Sequence, residues 1–158
     1  MVSSVLMVCL GNICRSPIAE HVMRAKVVEA GLSIQVASAG TGDWHIGDPA
    51  DYRAATVLDQ FGYTSQHRAQ QFQSRWLDEY DLIMVMDKNN QRGVLALASN
   101  AQHERKVKLL RSFDSTAPKD AEVPDPYYGT EKDFVAVLQM VERACDGFIA
   151  QQLEQTEE

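Results

Sequence analysis

The spacing of apolar and polar positions along this chain switches repeatedly between continuous apolar runs and helical stripes. Residues 5–9 form an unbroken apolar run, which predicts a buried strand. Residues 17–30 follow as a helix-like stretch that opens on Pro17 and stops at Gly31. A second strand is expected over residues 33–38. A helix is expected over residues 51–61, with Ala54, Val57, Leu58 and Phe61 on one face and Gly62 as its stop. Between these two, residues 39–49 are rich in turn formers and read as a surface loop. The alternation continues with a strand over residues 82–86, a helix over 89–98 and a strand over 107–110. Residues 112–129 carry Pro118, Pro124, Pro126 and Gly129 and form a long connection. From Thr130 onward Phe134, Val137, Leu138, Val141, Ala144, Cys145 and Phe148 recur at helical spacing, and residues 155–158 should fray.

Short strands joined by helices need parallel pairing with right-handed crossovers, so the economical fold is a four-stranded parallel α/β sheet covered on both faces. Ligands of such sheets bind beyond the carboxyl ends of the strands, near the point where strand order reverses. That directs attention to the loop after the first strand. No repeat or linker interrupts the pattern, and residues 1–158 are expected to form one domain.

Charge narrows the function classes. The chain has 15 Lys+Arg against 22 Asp+Glu, a formal net charge of -7, whose long-range field disfavours nucleic acid and anionic membrane as general partners. The first apolar run is too short for a membrane span and lacks a basic leader, so the cytoplasm is the expected address. Cys9, Cys14 and Cys145 are odd in number and have no metal-type spacing, so thiols are expected rather than a disulfide framework or a zinc site.

The loop Cys9-Leu10-Gly11-Asn12-Ile13-Cys14-Arg15-Ser16 suits an anion. Gly11 and Asn12 tolerate left-handed backbone, which lets successive N–H groups turn inward as a nest, and the following helix start adds free donors and positive potential. Arg15 can grip two oxygens of a tetrahedral dianion with its planar fork. The same donors would stabilise a thiolate at Cys9, and Ser16 is placed to hydrogen-bond the sulfur or cap the helix. Further along, Asp125 sits between Pro124 and Pro126 on a stiff segment, as a general acid should. Because that acid must enter protonated and the sulfur ionised, mildly acidic pH is expected to suit the reaction. Asp87 follows an apolar strand, where it would brace the site or cap the next helix. Cys14 lies beside Cys9, and a disulfide between them would shut the site reversibly.

The run from Cys9 to Pro17 and the segment Asp125-Pro126-Tyr127-Tyr128-Gly129 resemble the two signatures of the low-molecular-weight protein tyrosine phosphatases. The similarity extends to residues 46–49, 51–53 and 86–87. It implies a three-layer sandwich with strand order 2-1-3-4, a mechanism free of metal and cofactor, and phosphotyrosine proteins or small aryl phosphates as substrates, with phosphate as product and inhibitor. It further implies Cys9 as nucleophile, Arg15 as clamp and Asp125 as acid. Leu10, Gly11, Asn12, Ile13, Cys14, Ser16, Trp44, Tyr127 and Tyr128 would surround the substrate, and Asn12, Ser16, Ser38 and His67 would brace the loop. A monomer or weak dimer is expected.

Three rivals share these features. Arsenate reductase on this scaffold needs a further relay cysteine, and only Cys145, inside the last helical stripe, is on offer. Arginine phosphatases of this type carry threonine where this chain has Ile13. A non-catalytic phosphate-binding or thiol-redox module would have no use for Asp125. No role is expected for His21, His45 or His103.

Overall fold

The computed structural model describes residues 1–157. Four strands, β1 (Ser4–Cys9), β2 (Gln35–Gly40), β3 (Leu82–Val85) and β4 (Val107–Leu109), pair in parallel in the order β2-β1-β3-β4. The helices are α1 (Arg15–Glu29), α2 (Tyr52–Gln60), α3 (Trp76–Glu79), α4 (Lys88–Leu95), α5 (Ala101–Lys106) and α6 (Glu131–Thr156), and a 3-10 turn covers Leu110–Phe113. This is the expected three-layer α/β sandwich.

Period-two alternation divides the central strand between two cores. Val5, Met7 and Cys9 face α1, α2 and α6, while Leu6 and Val8 face Phe72, Leu77 and Val94 on the side of α3 to α5. Strand order reverses at β1, so the loop after β1 and the loop after β3 open on one crevice.

Where the boundaries differ from expectation, local hydrogen bonds give the reason. α1 starts at Arg15, ahead of Pro17, so Arg15 and Ser16 belong to its first turn. It ends in a left-handed Gly31 at φ 70, with Leu32 N–H donating to Val27. β2 is displaced toward the site relative to residues 33–38 and runs to Gly40, which pairs with Cys9 and bridges Gln71. α4 stops at Leu95, short of residue 98, because Leu97 and Ala98 donate back only three residues and Asn100 then caps α5. The tail expected to fray over residues 155–158 is helical through Thr156; Glu158 lies outside the described residues.

α6 carries the largest share of the first core. A capping box between Thr130 and Asp133 starts it, and Phe148 is wholly buried, edge-on to Phe113 at 5.4 Å. Phe148→Ala is expected to cost about 3–5 kcal/mol. Urea unfolding with an unchanged m-value checks this, and a loss well under 1 kcal/mol would contradict it.

Candidate active site

The loop between β1 and α1 turns on Asn12, a non-glycine residue at φ 58. Gly11, also expected to supply left-handed backbone, does not take that conformation. Asn12 is fully buried, and its side-chain amide is spent on holding the turn. Nδ2 donates to Ser16 Oγ at 2.8 Å and Ser38 Oγ at 2.9 Å, while Oδ1 accepts from Gln70 N–H at 2.9 Å. Ser38 in turn donates to Glu20, and His67 Nε2–H donates to the Asn12 carbonyl at 2.6 Å. This tie fixes the left-handed residue from behind.

What the turn presents on its inner side is a coordinated sulfur. Cys9 Sγ lies 2.9 Å from Ser16 Oγ and accepts from Asn12 N–H at 3.3 Å. Gly40 makes room for the curl, since a Cβ there would lie 2.7 Å from the Leu10 carbonyl oxygen and 3.1 Å from Asn12 N. The N-terminus of α1 adds unpaired donors and the positive end of its dipole.

Arg15 is 3% exposed, and its side chain runs along the pocket floor. Nη1 is 2.6 Å from Asp87 Oδ2 and donates to the Val123 carbonyl at 3.0 Å, and Nη2 stands 3.8 Å from Asp125 Oδ2. Burial alone would weaken its hold on its proton. Cys9, Asp87 and Asp125 outweigh that and raise it, so the guanidinium keeps its charge. Asp87 performs both expected tasks at once, because its other oxygen accepts from Asn90 N–H at 2.8 Å and caps α4.

The acid-bearing segment is held at its two ends. Val123 N–H donates to Met86 at 2.8 Å and its carbonyl accepts from Arg15; Gly129 N–H closes a turn onto Pro126 at 2.8 Å. Asp125 itself is half-exposed and accepts only from its own loop, at Tyr127 N–H, 3.1 Å away. Cys9, Leu10, Gly11, Ile13, Cys14 and Arg15 meet Asp125, Tyr127, Tyr128, Trp44 and His45 around a cavity of about 270 Å³.

Nearly all the residues named from sequence converge here, with two differences of position. Asn12 and Ser16, named among the substrate contacts, are fully buried behind the loop. Tyr128 is 97% exposed and forms rim more than wall. Burial, then Asp51, Cys9 and Asp125, push the Cys14 thiol up against the pull of Arg53, so it stays protonated. Cys145 is fully buried in α6, where desolvation raises its thiol as well.

Several contributors carry no local signal. His45 lines the cavity with Nδ1 3.1 Å from Asp48. His21 is buried edge-on to His67, and His103 joins Asp78 at 2.6 Å, far from the cavity lining. Glu20 and Gln70 act on the loop through Ser38 and Asn12. Glu20 stands one turn along a helix, a spacing that pairs it with Arg24 and hides its second partner. Among the described residues no group of three His, Cys, Asp or Glu is arranged to hold a metal, and no helix is long and apolar enough to cross a membrane.

A cysteine sulfur held by donors beside a guanidinium and a carboxylate is the set of groups that thiol-based phosphoryl transfer requires. Residues 4–158 match the family model described as low molecular weight phosphotyrosine protein phosphatase, and the chain belongs to that family. It is 46% identical to a low molecular weight protein-tyrosine-phosphatase of Streptomyces coelicolor over 99% of this chain and 98% of that protein. It is 43% identical to low molecular weight protein-tyrosine phosphatase A of Mycobacterium tuberculosis, covering 90% of this chain and 87% of the relative. A crystal structure of a protein tyrosine phosphatase from Entamoeba histolytica, with Hepes in its active site, superposes with TM-score 0.91 at 36% identity, covering 98% and 99% of the two chains.

Burial lowers the proton affinity of both His67 and His21, outweighing for His67 its bond to Asn12 and for His21 the nearby Glu20. The unfolded chain therefore binds more protons than the folded one just below the ordinary histidine value of about 6.5. Stability is present in full above that pH and is lost as pH falls through the lowered folded values. The urea midpoint should drop between pH 7.5 and 5, and His67→Gln should flatten the slope. A wild-type midpoint that is constant over that range would contradict the assignment.

Proposed function

We propose that this protein hydrolyses phosphotyrosine in protein substrates, and small aryl phosphates, through a cysteinyl-phosphate intermediate that needs no metal. The observation that carries the reading is the convergence of Cys9, Arg15 and Asp125 on one cavity, with the sulfur hydrogen-bonded by Ser16 and Asn12. Cys9 Sγ attacks phosphorus as the bond to the phenolic oxygen breaks, and Asp125 delivers a proton to that oxygen. Tyrosine has a pKa of about 10, so without this proton it leaves poorly. Asp125, now ionised, takes a proton from water; the hydroxyl bonds phosphorus, the sulfur–phosphorus bond breaks, and phosphate departs. Arg15 and the loop amides hold the equatorial oxygens through both halves. Trp44 and Tyr127 flank the ring, with Leu10 and Ile13 as apolar lining. Phosphate, as product, would inhibit.

One domain covering residues 1–158, acting in the cytoplasm as a monomer or weak dimer, completes the proposal. Arsenate reduction is disfavoured because Cys145, the one further cysteine for a disulfide relay, is fully buried in α6 and is not among the residues that line the cavity. Arginine phosphatase activity is disfavoured by Ile13 on the cavity wall.

With chelator present, phosphotyrosine peptide should be hydrolysed in preference to phosphoserine and phosphoarginine peptides. Cys9→Ser should abolish turnover of p-nitrophenyl phosphate while still binding phosphate, and Asp125→Asn should lower kcat on the order of a hundredfold or more. Turnover by Cys9→Ser equal to wild type, or a requirement for added metal, would overturn the mechanism.

A further inference from the structure

Arg53, outside the two signature motifs, lies between the phosphate loop and the acid loop and touches both systems. It stands in the first turn of α2, whose cap residue Asp51 is fastened to the phosphate loop by its N–H, which donates to the Ile13 carbonyl at 2.8 Å. The Asp51 carboxylate accepts from Arg53 N–H at 2.9 Å, from Nε at 3.1 Å and from Nη2 at 3.2 Å. The remaining arm, Nη1, donates to the Gly129 carbonyl at 3.2 Å, at the far end of the segment that carries Asp125. The guanidinium also lies 4.5 Å from the centre of the Phe134 ring and 5.5 Å from that of Tyr127. Burial would push the Asp51 carboxyl up, but Arg53 holds it below the usual carboxylate range.

The acid loop is thus bound by two arginines, Arg15 at Val123 and Arg53 at Gly129. Asp125 has no partner on α2 or α6 that would fix it directly; its carboxylate reaches only Tyr127 N–H and the distant edge of Arg15. Its place on the cavity that Cys9 also lines follows from where the loop ends are held. Gly129 allows the C-terminal hold to be close, because a Cβ there would collide with the Asp133 carboxylate that caps α6. Arg53 also stands over the ring of Tyr127, at 5.5 Å within cation–π range, and Tyr127 lines the cavity.

We propose that Arg53 is a positioning residue for the proton-transfer step. By fastening Gly129 and Tyr127 to a helix that is itself tied to Ile13, it sets the reach of Asp125 to the leaving oxygen. A lysine could keep the charge over Phe134 but could not bond Asp51 and Gly129 at once.

This inference rests on the hydrolytic reading, and leaving-group dependence separates the two. Arg53→Met and Arg53→Lys would be compared with wild type and Asp125→Asn on aryl phosphates of graded phenol acidity, alongside thermal unfolding and phosphate binding. Both variants should lose on the order of tenfold to a hundredfold in kcat/KM, which reports the step that expels the phenol, with poor leaving groups and much less with the most acidic phenols, moving toward the Asp125→Asn pattern. Phosphate affinity should stay within about threefold in Arg53→Lys, which keeps the charge felt by Cys14, since the hydrogen-bonded tie to the phosphate loop runs through the backbone N–H of Asp51. A folded variant with wild-type leaving-group dependence would overturn the proposal. So would a loss in kcat/KM equal for all leaving groups, or one confined to phosphate binding. If Arg53→Met does not fold, Arg53→Lys, which keeps the packing on Phe134, decides alone. Wild type inactive toward every aryl phosphate would instead sink the hydrolytic reading itself.

Discussion

The structure depends on one buried amide. Asn12 takes a left-handed conformation that costs a side-chain-bearing residue roughly 1–2 kcal/mol, and it does so where no water can help. Three hydrogen bonds from its side chain, each worth about 1 kcal/mol net when satisfied, offset that cost. Ser38, Ser16 and the Gln70 backbone come from β2, α1 and the segment after α2, so the turn is held by elements that the sheet and its cover already fix. A loop free to relax would let its N–H groups point to solvent, and the sulfur would lose the donors beside it.

Around that turn the architecture is economical. The reversal of strand order at β1 brings the ends of β1 and β3 to the same crevice, which supplies Cys9 from one and Asp87 from the other. Asp87 then holds Arg15 and caps α4 with different oxygens, so the guanidinium is aimed by a residue that also starts a helix. The price of this arrangement is a set of buried polar groups that stabilise only while all are satisfied. The depressed proton affinities of His21 and His67 are one symptom.

Much of this was legible in the residue pattern, because its parts are local. The central strand announces itself through an apolar run, and α6 through a long stripe beginning at Thr130. The Cys9-to-Ser16 loop and Asp125 between two prolines are contiguous motifs that can be read in sequence, the first from its composition and the second with the help of the family resemblance. The short helices α3 and α5 were not legible, since four to six residues carry too little periodicity to register. Nor were the roles of Gly40, Glu20 and Gln70, or that of Arg53 within the 51–53 segment of the family resemblance, because these arise only when distant segments meet. Gly40 reads as a loop residue until β2 is seen to run beside the phosphate loop. His45 reads as an ordinary loop histidine until the fold places it on the cavity that Trp44 and Tyr127 also line.

The dependence on Asn12 is most directly measured by phosphate affinity in two substitutions at that position, by calorimetry at fixed salt. Asn12→Gly keeps access to the left-handed backbone but removes the amide, and Asn12→Ala removes both. The account predicts that phosphate binding weakens in the order wild type, Gly, Ala, with the alanine variant down on the order of thirtyfold or more, as part of the lost bonding and backbone strain is passed on to the binding site. An alanine variant that folds and binds phosphate as tightly as wild type would show that the loop keeps its shape without this tie, and would contradict the central claim.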